Sequence, residues 1–101
     1  MDNLKVGDIL VASDITIYDK YFVIIDSFTK TGNPRVCWIE STKTLTSKAP
    51  MNESYGVKPI IPCKRLSKPY CIRKTKNGYK HKNYTFSMYD PFKIYYIDHY
   101  Y

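Results

Sequence analysis

Between residues 54 and 89 the chain carries nine basic side chains, Lys58, Lys64, Arg65, Lys68, Arg73, Lys74, Lys76, Lys80 and Lys82, and no Asp or Glu. Residues 1–53, by contrast, hold six basic and seven acidic side chains. Uncompensated cations repel one another as a chain compacts, so folding alone gives no reason to segregate them. An anionic polymer does. Lys and Arg displace counterions condensed on phosphates, and log K falls by about 0.9 per contact per decade of salt on duplex DNA. Tyr55, Tyr70, Tyr79, Tyr84 and Phe86 are interleaved with the cations, and such rings stack on exposed bases, each worth ~1–3 kcal/mol on single strands. The expected phosphate contacts are Lys64, Arg65, Lys68, Arg73, Lys74, Lys76, Lys80 and Lys82, with Tyr70, Tyr79 and Tyr84 stacking or bonding to sugar and phosphate. Phosphate contacts position without reading bases, so binding of DNA or RNA is expected to be largely independent of sequence. The alternative is a protein-interaction or structural module that meets an acidic protein or a packaged genome.

Other chemistries lack their residues. A nucleophilic triad needs a positioned Ser or Cys, a His and an acid. Only His81 and His99 are present, one in the basic stretch and one in the terminal tail. Neither G-x-x-x-x-G-K-[ST] nor G-x-G-x-x-G occurs, so no Gly-rich phosphate cradle is expected. Cys63, Cys71, His81 and His99 lack the paired C-x₂₋₄-C knuckle of tetrahedral zinc. The sequence therefore predicts a binding module with no catalytic residues, metal or cofactor.

The chain is 101 residues long with a formal charge of +7, enough for one domain spanning 1–101. No apolar run approaches the ~20 residues of a membrane span, and Met1-Asp2-Asn3-Leu4-Lys5 resembles no secretory signal. Three cysteines without such a signal are expected as reduced thiols, in an intracellular protein of nucleus or cytoplasm.

The elements that must position the cations read as strands, since β-branched and aromatic residues dominate the apolar set. Residues 8–13 form the first. Tyr21-Phe22-Val23-Ile24-Ile25 opens the strongest, apolar on both faces as a central strand would be. Lys30-Thr31-Gly32-Asn33-Pro34 supplies turn chemistry, and Arg35-Val36-Cys37-Trp38-Ile39-Glu40 completes a hairpin, with Cys37 in its core. The polar stretch 41–54 predicts a long loop, and prolines at 59, 62 and 69 limit the next stretch to short or edge strands. Asn77-Gly78 predicts a two-residue hairpin between 70–75 and a strand running from Tyr79 to Met88, a basic finger projecting from the fold within a basic arm at 58–82. The tail 92–101 has apolar bodies on both faces. It either closes the fold as a last strand or pairs with another chain in a homodimer.

In Val6-Gly7-Asp8-Ile9-Leu10-Val11-Ala12, Asp19-Lys20-Tyr21-Phe22-Val23-Ile24-Ile25 and Arg35-Val36-Cys37-Trp38-Ile39-Glu40, the order of elements resembles small SH3-like barrels of the Tudor, chromo-barrel and KOW type. The resemblance covers residues 6–40. It implies an all-β barrel of five to six antiparallel strands and a binding role, including chromatin proteins among the partners. Tudor-like readers hold methylated lysine in an aromatic cage, whose walls here would be Tyr18, Tyr21, Phe22 and Trp38. Phe22 and Trp38 serve equally well as core residues. The Lys-, Ile-, Asn- and Tyr-rich composition is similar to that of small proteins of large DNA viruses, where the virion would be the location.

Overall fold

The computed structural model describes residues 3–17, 19–49 and 52–100, with side chains for all of these except 46–49, 52, 53 and 98–100. The protein is all-β. Its strands are β1 (Ile9–Asp14), β2 (Lys20–Phe28), β3 (Pro34–Trp38), β4 (Ser41–Ala49), β5 (Asn52–Pro59), β6 (Tyr70–Cys71), β7 (Arg73–Thr75), β8 (Gly78–His81), β9 (Tyr84–Met88) and β10 (Tyr95–Tyr100). They form a seven-stranded antiparallel sheet ordered β6-β3-β2-β1-β9-β8-β7 and a three-stranded sheet ordered β10-β5-β4.

The two ends of the larger sheet are consecutive in the chain. Tyr70 and Cys71 pair with Val36 and Arg35 of β3, whereas Arg73, Lys74 and Thr75 pair with Lys80, Tyr79 and Gly78 of β8. Ile72 sits between them, fully buried, its N–H donating to the Pro34 carbonyl at 3.0 Å. One extended segment, 70–75, thus changes partners halfway along and draws the sheet into a nearly closed barrel. With β6 and β7 counted as that one segment, the seven strands make six staves.

Strand alternation sorts the core into two layers. Leu10, Ala12, Val23, Ile25, Val36, Ile72 and Phe86 fill the barrel. Their neighbours on the other face, Val11, Phe22, Ile24, Cys37 and Ile39, meet Val57 and Ile97 of the smaller sheet. The centres of β1 and β2 are therefore covered on both sides, as the doubly apolar 21–25 run requires.

The β2–β3 hairpin forms where its turn chemistry predicts, one residue early: the loop is Thr29–Asn33, with Gly32 at φ +88. A shift in the ladder between Ile25 and Ser27 leaves Asp26 as the extra residue of a bulge. A bulge re-aims a side chain, and Asp26 meets Arg65 at 3.4 Å.

Several expectations are corrected. Residues 41–54 are not a long loop, since β4 and the start of β5 occupy them. Thr42 and Thr44, on the strip opposite Lys43 and Leu45, suit a pleated ribbon without supplying the apolar alternation that marks a half-buried strand. In the basic hairpin Thr75 pairs with Gly78, so Lys76 and Asn77 form the turn. Gly78, at φ +117, is the first residue of β8. The partner strand is not continuous either: His81 pairs with Tyr84 across a second turn, Lys82-Asn83. The hairpin does not project as a finger, because β9 pairs with β1 along Leu10–Asp14 and holds it in the barrel wall. Finally, the tail does not close the barrel. Segment 70–75 does so, while β10 pairs with β5 and packs Ile97 against the barrel's outer face.

Candidate nucleic-acid interface

The cations of 58–82 do not form one arm. Lys58 lies in β5 on the smaller sheet, beside Thr42, Thr44 and Ile94. Residues 60–67 lace along the edge of β3. The Ile60 N–H donates to the Glu40 carbonyl (3.0 Å), the Leu66 N–H to the Trp38 carbonyl (2.7 Å), and the Trp38 N–H to Ser67 Oγ (3.1 Å). This lacing delivers Lys64 to Glu40 (4.0 Å) and Arg65 to Asp26 (3.4 Å). Both cations are thereby engaged by the acidic half of the same molecule. Arg65 also lies near Cys37, whose thiol is pushed up by burial and by Asp26, with Arg65 opposing.

Four of the eight expected phosphate contacts do converge. Arg73, Lys74, Lys80 and Lys82 line, with Thr75 and His81, an open groove of about 530 Å³ with no acidic side chain on its wall. The register sets two of them side by side. Arg73 stands directly opposite Lys80, a like-charge cross-strand pair of the kind that destabilises a sheet. Lys82 follows at φ +53, a left-handed conformation that costs an L-residue roughly 1–2 kcal/mol and that Gly or Asn would accept more readily. Lys76 lies in the β7–β8 turn and Lys68 in the connection before β6; neither lines the groove.

Beside the groove lies a cluster of rings at one mouth of the barrel. Tyr21, Trp38, Tyr70 and Tyr84 are each two residues along their strands from an interior residue (Val23, Val36, Ile72 and Phe86), so alternation carries them to the same inner surface, one layer higher. Ring centroids are 5.0 Å apart for Trp38–Tyr84, 5.7 Å for Trp38–Tyr70, and 6.2 Å for both Tyr21–Trp38 and Tyr21–Tyr84. His81 tilts over Tyr70 at 4.7 Å. Trp38, Tyr70, His81, Lys82 and Tyr84 line a second open cleft of about 380 Å³.

The mouth's far side is fixed by the β1–β2 connection. The Asp14 carboxylate accepts from the Thr16 hydroxyl (2.6 Å) and N–H (2.9 Å), which hold its pKa below the usual value. The Tyr21 hydroxyl donates to Asp19 at 3.4 Å, and burial, then the Asp19 charge, push that phenol up. The Ile15 N–H donates to the Asn83 carbonyl (2.8 Å), tying this connection to the β8–β9 turn.

Of the expected cage walls, Tyr21 and Trp38 belong to this cluster. Phe22 does not: it faces the opposite side of β2, edge-on to Tyr89 and Tyr95 beneath the smaller sheet. A one-residue step along a strand reverses the face. Tyr18 lies outside the described residues. Tyr79 packs against the barrel interior. His81 was missed as a site residue; its place directly opposite Tyr84, across a two-residue turn, was hidden by reading 79–88 as one strand. No family model, curated protein or solved structure matches the chain.

Proposed function

We propose that the protein binds nucleic acid through the barrel wall formed by β7, β8 and the Lys82 turn, by contacts to phosphate that do not depend on sequence. The observation that carries this reading is the groove itself. Arg73, Lys74, Lys80 and Lys82 line one open surface, with Arg73 and Lys80 set against each other by the strand register. Their mutual repulsion opposes folding, and the attraction of both to a bound phosphate chain offsets it. The four cations correspond to a log–log salt slope of roughly −3 on a single strand, at about −0.7 per neutralised phosphate.

The test is a salt titration of binding to a mixed-sequence oligonucleotide. Replacing Arg73 and Lys80 with Ala flattens the slope by about 1.4. Replacing Lys64 and Arg65 flattens it less, because both stand outside the groove with Glu40 and Asp26 beside them. A flat slope for the unmodified protein, or equal effects of the two double variants, refutes the assignment.

A second reading concerns self-association. β10 is the outer strand of its sheet; it exposes Tyr96 (44%), and the chain entering it exposes Phe92 (96%) and Ile94 (64%). Exposed apolar groups beside a sheet edge suit pairing with a second copy. Sedimentation of the full chain then gives a dimer that Phe92→Ser with Ile94→Ser converts to monomer; a monomeric parent removes this reading.

A further inference from the structure

From the aromatic mouth we infer that the protein takes single strands in preference to duplexes, holding one unstacked nucleobase in the cleft lined by Trp38, Tyr70, His81, Lys82 and Tyr84. The inference rests on the phosphate-groove reading and adds the chemistry of the strand's bases to it. The cleft and the groove share His81 and Lys82. A chain tracked by the cations therefore reaches the rings within one residue's width.

The ligand must offer a flat face next to an anion, and a nucleotide does both. At about 380 Å³ the cleft lies within the ~300–1,000 Å³ of small-ligand sites. A base paired in a duplex has both faces covered by its neighbours, so only a strand with free bases can use the rings. Rings already packed edge to face at 5.0–6.2 Å hold one another in place, and little side-chain freedom is lost when a base arrives. A methylated ammonium group is the other ligand that aromatic surfaces attract. Here it meets Lys82 on the cleft wall, with Lys80 and Arg73 beyond. Asp19 accepts from Tyr21, and no acid is among the cleft's lining residues. An uncharged base bearing a phosphate suits this electrostatic setting; an added cation does not.

Trp38 is the only tryptophan, so its emission reports on the cleft directly. The full chain is titrated with a short mixed-sequence single strand, its duplex, an abasic strand of the same length, inorganic polyphosphate and a trimethyl-lysine peptide. The expected result is a change in Trp38 emission with the single strand alone, and binding roughly ten-fold or more tighter than to the abasic strand, as one stacked base gives. Tyr84→Leu, which keeps apolar bulk but removes a ring, abolishes that difference while leaving polyphosphate binding intact. Should this variant fail to fold, the titrations of the unmodified protein decide the question.

Equal affinity for intact and abasic strands without an emission change overturns the base-binding cleft and leaves the groove standing. Equal affinity for duplex and single strand overturns it as well. An emission change with the trimethyl-lysine peptide alone reassigns the cleft to a methylated cation. Salt-independent or absent binding of every polymer removes the groove reading itself.

Discussion

Tyr70 carries its hydroxyl into a buried position with no hydrogen-bond partner among the described residues. An unsatisfied buried polar group costs about 1–3 kcal/mol, so Tyr70→Phe is expected to raise stability by about 1 kcal/mol, read from denaturant unfolding. Burial raises this phenol's pKa, with smaller contributions from Tyr84 and Cys37. The folded chain then holds the proton more tightly than the unfolded one. Stability that is fully present below about pH 10 is lost as the pH rises further. Tyr70→Phe should flatten that alkaline loss; a variant as sensitive above about pH 10 as the parent would contradict the argument. Lys82 makes the complementary case. Relieving its positive φ with Lys82→Gly should leave stability unchanged or raise it by up to about 1 kcal/mol, while the salt slope of binding flattens by about 0.7. A residue kept for folding would show the opposite pattern.

Among the elements, segment 70–75 decides the architecture. Ile72 is its only fully buried residue, flanked by a two-residue strand on one partner and a three-residue strand on another. Ile72→Ala is expected to destabilise by about 2–5 kcal/mol, whereas Leu66→Ala, at an exposed position nearby in the chain, should stay within about 0.5 kcal/mol. Urea titrations of the two variants check this. The β2–β3 hairpin was legible because its signals are local: a run of apolar residues, a Gly-containing turn and a returning run. The β7–β8 turn was legible only to within one residue. An Asn-Gly pair can place its Gly inside the turn or just after it, and here pairing of Tyr79 with Phe86 fixes which. β4 was illegible for a different reason: a ribbon of Ser, Thr and Lys carries no hydrophobic alternation.

At the scale of the molecule, the smaller sheet covers the barrel's outer face, and β10 supplies Tyr95 and Ile97 to that contact. Deleting residues 92–101 would strip this cover from Val11, Phe22 and Ile24. The expected outcome is loss of cooperative unfolding and exposure of apolar surface, measured by thermal melting and dye binding. A truncated chain that melts like the parent would show that the barrel stands alone. The same scale governs the charges. A net charge of +7 states only an imbalance; its use depends on which cations share a surface.

Composition and period alone determined that the chain is all-β, that positive charge is concentrated in 54–89, and that 22–25 is buried on both faces. Each of these belongs to a residue type or to neighbours a few positions apart, where local sterics and hydrophobic burial act directly. Only the tertiary structure decided that Arg73, Lys80 and Lys82 share a groove while Lys64 and Arg65 turn to Glu40 and Asp26, and that Tyr21, Trp38, Tyr70, His81 and Tyr84 meet at one mouth. Those groupings join residues more than sixty positions apart. They follow from strand register and from the closure at Ile72, which a period-two pattern leaves open, because every register offset by two residues buries the same faces.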